Sequence, residues 1–94
     1  MPRTLAMRTL TVAPGARTAF VAAARARRRA AEQVGAHYWA FAAADGPETV
    51  TEFVEAADAG RLDAALRVDG PTTGTAADSI PFTRWTEFAL DEEP

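Results

Sequence analysis

Few side chains in this sequence could carry chemistry, and each can also be read as plain structure. His37 is the single histidine, and an imidazole with an ordinary pKa of about 6.5 suits proton transfer near neutral pH. It follows Gly35 at the start of a strand-like run, where a histidine is often only a half-exposed polar residue. Glu52 stands in Thr51-Glu-Phe-Val54, and a carboxylate among apolar neighbours must either find a partner or have its pKa raised by desolvation. Arg27 offers a forked donor suited to a carboxylate. It either pairs with Glu52 as a structural ion pair or binds an acidic ligand group. Trp39, Phe41 and Trp85, with Tyr38, present flat faces to an aromatic ligand, or serve as core and interface.

The elements that position these residues follow from pattern and turn chemistry. Thr4 to Val12 mixes β-branched and apolar residues and stops at Ala13-Pro14-Gly15, so it reads as a strand. Ala16 to Val34 has no internal Gly or Pro and is followed by Gly35, which predicts a helix of about five turns. At about 100° per residue, Ala16, Phe20, Ala23, Ala30, Ala31 and Val34 gather into one stripe with Arg27 inside it, while Arg25, Arg28 and Arg29 turn outward. Ala36 to Ala44 and Glu48 to Ala56 flank Asp45-Gly46-Pro47 and form a hairpin. Asp58 to Val68 gives a short helix with Asp58 as its cap. Residues 69–81 form a long loop, Phe82 to Leu90 a fourth strand, and 91–94 an acidic end.

A hairpin closed tightly on Asp45-Gly46 places Trp39 opposite Glu52, Phe41 opposite Val50 and His37 opposite Val54. One face then holds His37, Trp39, Phe41, Val50, Glu52 and Val54, with Arg27 projecting toward it. That is the expected wall of a ligand pocket.

The order βαββαβ is the ferredoxin-like arrangement: an α+β single domain with a four-stranded antiparallel sheet and both helices on one face. The whole chain has 94 residues, 48% of them hydrophobic and 24% charged, the composition of one ordinary globular domain. About half of the hydrophobic positions are Ala, and a methyl group buries little area. A lone copy is therefore expected to be marginal, and a second copy covering the bare sheet face is the expected remedy.

Composition also excludes. With no Cys there is no disulfide, thiolate metal site or Cys nucleophile, and with one His no histidine zinc site can be built from one chain. No metal or cofactor is expected. The net charge of −3, with every cation an Arg, gives no electrostatic ground for nucleic acid, and the outward arginines read as a solvated helix face. Gly70 to Thr75 lacks the Lys and the following helix of a phosphate cradle. The first residues form no apolar signal segment, so a cytoplasmic, membrane-free protein is expected.

Thr51-Glu52-Phe53-Val54-Glu55 leading into Asp58-Ala-Gly-Arg-Leu-Asp-Ala-Ala-Leu66 resembles the dimeric α+β barrel superfamily, which includes the antibiotic-biosynthesis-monooxygenase-like and NIPSNAP-like domains. The resemblance covers nearly the whole chain through a loose motif. It implies a homodimer whose two sheets form a barrel, with a small pocket in each copy. Where the second helix of such proteins often carries a His, this chain has Ala65, and its first strand has Arg8 and Thr9 rather than an Asn. The chemistry implied by the resemblance is cofactor-independent oxygenation or proton transfer, with His37 or Glu52 as base and Arg27 steadying negative charge. The competing expectation is a non-catalytic dimerisation or assembly module.

Overall fold

A first strand, β1 (Thr4–Thr11), alternates buried Ala6, Arg8 and Leu10 with more exposed Leu5, Met7 and Thr9, the period of two expected of a sheet with one covered face. In the computed structural model, which describes residues 2–67 and 80–90, the chain then turns through a short 3-10 segment at Pro14–Ala16 into helix α1 (Arg17–Gln33). The helix buries Phe20, Ala23, Ala30 and Ala31, which is the stripe expected from the sequence. It ends as Gly35 adopts φ +75. The Gly35 N–H donates to the Glu32 carbonyl at 3.2 Å and the Ala36 N–H to the Ala31 carbonyl at 2.8 Å, the paired bonds of a Schellman stop.

Strands β2 (His37–Ala43) and β3 (Gly46–Ala56) form the hairpin, and helix α2 (Ala59–Leu66) follows. Asp58 caps α2, its carboxylate accepting the Arg61 N–H at 2.8 Å. Strand β4 (Thr83–Thr86) is shorter than the expected Phe82 to Leu90. It pairs with Thr4 to Met7 of β1, and beyond Glu87, whose N–H reaches the Arg3 carbonyl at 2.9 Å, β1 offers no further partner. The expected loop at 69–81 lies outside the described residues except for 80 and 81, as does the acidic end.

The sheet is antiparallel throughout, in the order β2-β3-β1-β4. Ala31 of α1 and Leu62 of α2 join Ala6, Tyr38, Val54 and Ala56 in one core cluster, so both helices cover the same face. The fold is α+β with an open four-stranded sheet and two helices, compatible with the ferredoxin-like arrangement. Among the described residues, six of the thirteen buried hydrophobic side chains are Ala.

The hairpin departs from its expected register. A bulge between Ala42 and Ala43 leaves Ala43 opposite Gly46 while Ala42 faces Val50. Trp39 therefore pairs with Phe53, Ala40 with Glu52 and Tyr38 with Val54. A slip of one residue exchanges the faces of a strand. His37, Trp39 and Phe41 thus share the open face with Thr51, Phe53 and Glu55, while Glu52, Val50 and Val54 share the helix side of the sheet with Tyr38 and the exposed Ala40 and Ala42.

Candidate functional site

Glu52 is wholly buried, at 0% exposure, and a carboxylate in that position needs compensation at both oxygens. β1 supplies Arg8, the register partner of Glu52, whose Nε donates to Oε1 at 2.6 Å. α1 supplies Arg27, whose Nη1 donates to Oε2 at 2.9 Å. β2 supplies Tyr38, whose hydroxyl also donates to Oε2. Three elements are fastened to β3 through one side chain.

The outer parts of the cluster are tied down as well. Arg8 Nη1 donates to the Ile80 carbonyl at 2.8 Å, and its guanidinium carbon lies 4.6 Å from the centre of the Phe82 ring, a cation–π distance. Arg8 thus links the cluster to the segment that leads into β4. Burial, followed by the hydrogen bond to Glu52, pushes the Tyr38 phenol well above its ordinary pKa of 10.0, so it remains a neutral donor at physiological pH. Among the described residues no buried side-chain nitrogen or oxygen lacks a partner.

The sequence-predicted residues are divided by this geometry. Arg27 and Glu52 meet, as one of the two expectations for Arg27 required. His37, Trp39, Phe41 and Trp85 lie on the other side of the sheet, because the bulge turns β2 over relative to β3 and Leu5 of β1 pairs with Trp85. The expected wall of His37, Trp39, Phe41 and Glu52 is therefore not a single surface, and His37 cannot share a substrate with the Glu52 carboxylate. His37 stacks on Trp39 with ring centres 5.9 Å apart. Phe41 meets Phe53 edge-on at 5.7 Å.

Sequence reasoning missed Arg8 and Tyr38 as members of the cluster. Arg8 carried a signal: Ala6, Leu10 and Val12 share its strand parity, so an inward β1 face necessarily includes it. Tyr38 shares parity with Ala40 and Ala42, and only the slipped register hid it.

Among the described residues, two of the hollows beside the sheet exceed about 300 Å³. One, of about 460 Å³, lies on the open face against Leu5, Met7 and Trp85. The other, of about 360 Å³, runs between α1 and edge strand β2. Neither Glu52 nor His37 lines either of them. Among the described residues no helix is long and apolar enough to cross a membrane.

No protein-family model, curated protein or solved structure matches the chain. Its functional reading therefore rests on its own geometry and on the loose resemblance described above.

Proposed function

We propose that this protein works as a homodimeric α+β barrel that binds a small molecule, two copies meeting through the bare faces of their sheets. One observation carries the assembly. The larger apolar side chains lie on the wrong side for a lone copy: Leu5, Met7, Trp39, Phe41, Phe53 and Trp85 all stand on the face that no helix covers. Trp39 is 44% exposed, Phe41 59% and Trp85 53%. The helix-covered core, by contrast, takes from Ala six of its thirteen buried hydrophobic side chains among the described residues. Fully burying a large apolar side chain stabilises by about 1.5–3 kcal/mol, and contiguous exposed patches of this kind mark interaction surfaces. A second copy supplies the same aromatic surface by two-fold symmetry.

The order of elements, the sheet order and the resemblance to dimeric α+β barrels support the same reading. The clefts beside the sheet support binding of a small molecule. Proton abstraction by Glu52 is disfavoured, since both carboxylate oxygens are taken and the group meets no solvent.

A non-catalytic assembly module is the second reading, and the internal satisfaction of Glu52, Arg8, Arg27 and Tyr38 favours it. Both readings need the dimer. Sedimentation at micromolar concentration should give a two-copy species, and Phe41→Asp, a change at an exposed position, should give single copies that retain their helical signal. A stably folded wild-type monomer, or a Phe41→Asp dimer, would refute the barrel.

A further inference from the structure

The arginines of this protein fall into two groups. Arg3, Arg8, Arg27, Arg61 and Arg84 each pair with a carboxylate. Arg17, Arg25, Arg28, Arg29 and Arg67 have no carboxylate within ion-pair distance among the described residues. Four of these five lie on α1, a helix that carries five Arg and a single Glu in a chain whose net charge is −3. Their placement is specific. Arg25 and Arg28, one helical turn apart on the same side of α1, border the groove of about 360 Å³ between α1 and β2.

The floor of that groove is apolar: Phe20, Val21 and Ala24 come from α1, Tyr38 and Ala40 from β2. The Tyr38 hydroxyl is turned inward to Glu52, so the groove meets its ring. β2 is an edge strand, and among the described residues no further strand closes the groove from outside. A smaller hollow of about 140 Å³ shares Phe20, Val21 and Ala40 with it and reaches Arg17, so the channel continues along the helix.

We propose that this groove binds a small aromatic carboxylate, its ring lying on Phe20 and Tyr38 and its carboxylate held by Arg25 and Arg28. This rests on the small-molecule-binding reading above and names its site and ligand class. The volume falls at the lower end of ligand clefts, roughly 300–1,000 Å³. Two forked guanidiniums on one side of a helix match the geometry of a carboxylate. The apolar floor between the charges separates this ligand from a nucleic acid, whose phosphates would need the arginines and leave the floor uncovered. The site lies on the helix side of β2, so it remains open in a dimer joined through the opposite face.

Calorimetric titration with 2-naphthoate tests the assignment, with uncharged 2-naphthamide and a short DNA duplex at low salt as parallel arms. Wild type should bind 2-naphthoate and bind the amide about tenfold or more weakly, the loss expected when charge-assisted hydrogen bonds are removed. Arg25→Gln/Arg28→Gln should weaken 2-naphthoate by a similar factor. Ala40→Leu, which adds bulk from an exposed floor position, should weaken both compounds. Absence of 2-naphthoate binding, equal affinity for acid and amide, an unaffected arginine variant, or binding of the duplex in place of the acid would each overturn the proposal. Sedimentation of the same samples separates the two readings: a monomer that binds 2-naphthoate defeats the barrel and leaves the groove standing, and a dimer that does not bind it does the reverse.

Discussion

Arg8 and Glu52 are direct partners across the β1–β3 ladder, and their side chains meet on the helix-covered face with Nε 2.6 Å from Oε1. Each is almost or wholly withdrawn from water, at 5% and 0% side-chain exposure. A cross-strand ion pair in that setting fixes register more strongly than it adds stability, because desolvation offsets much of the attraction. Slipping β3 by one residue would carry Glu52 to the open face and leave Arg8 buried without it.

Removing the carboxylate alone should therefore be costly. Glu52→Leu leaves Arg8 and Arg27 facing an apolar group, and the expected loss is about 3–5 kcal/mol. Adding Arg8→Met to that variant removes one of the stranded cations and should recover part of the loss. Urea denaturation of the four members of the cycle measures it, with a coupling of about 1–3 kcal/mol expected. Additive single effects would mean that the pair does not act as one unit.

The stop after α1 makes a narrower prediction. Gly35 has φ +75 with open space where a Cβ would stand, so a side chain there meets backbone strain rather than a clash. Gly35→Ala should cost about 1 kcal/mol in denaturant unfolding. Gly15→Ala, at a position with equally open space and no positive φ, serves as the control and should change little. Equal effects from the two would remove the conformational explanation.

Much of this fold could be read from particular residues. Gly35 ended α1, Asp58 capped α2, the hairpin turned within one residue of the expected Asp45-Gly46, and the α1 stripe placed Arg27 toward the sheet beside a glutamate in need of a partner. Each of these depends on local chemistry and helical period. The register of β2 against β3 was not legible, because the turn closes at Ala44-Asp45 and the irregularity at Ala42/Ala43 leaves residues 47–49 of β3 without β2 partners, a net shift of one residue that the repeated alanines do not mark. Alternation within each strand was right, and the mating of the two strands was not. That one-residue shift of pairing moved Glu52 from the expected aromatic wall to the Arg8–Arg27–Tyr38 cluster. The end of β4 was obscured for a different reason: its length is set by where β1 begins, a tertiary fact.

Acid should release β4 before the rest of the sheet. The hydrogen bond from Arg3 holds the Glu87 carboxyl below its ordinary 4.5, and that from Arg84 holds the Asp63 carboxyl below its ordinary 3.8. These carboxylates tie β4 to the start of β1 and to α2. A lowered folded pKa gives stabilisation that is present above the unfolded value and is lost as pH falls through the folded one. Amide exchange of Thr83–Thr86 should thus quicken below about pH 4 while β2 and β3 stay protected. Because both pairs are exposed, added salt should shrink the difference. Simultaneous loss of all four strands would contradict this order.

Base should act through Tyr38, the only tyrosine in the chain. Its phenol is raised above 10.0 by burial and by donation to Glu52. The unfolded chain ionises this group near its ordinary value, whereas the folded protein holds the proton longer. The sign is that of a raised folded pKa: the stabilisation is complete below about pH 10 and is lost as pH climbs from there through the folded value. Denaturation midpoints should fall as pH rises above about 10, and tyrosinate absorbance should rise with unfolding rather than ahead of it. Tyr38→Phe removes both the proton and the hydrogen bond, so it should start less stable by about 1–3 kcal/mol, the cost of a lost bond to a charged group. Its stability should then decline less over the same alkaline range. Ionisation of Tyr38 in the folded protein at its ordinary pKa, with no change in midpoint, would show that the phenol is not held by the cluster.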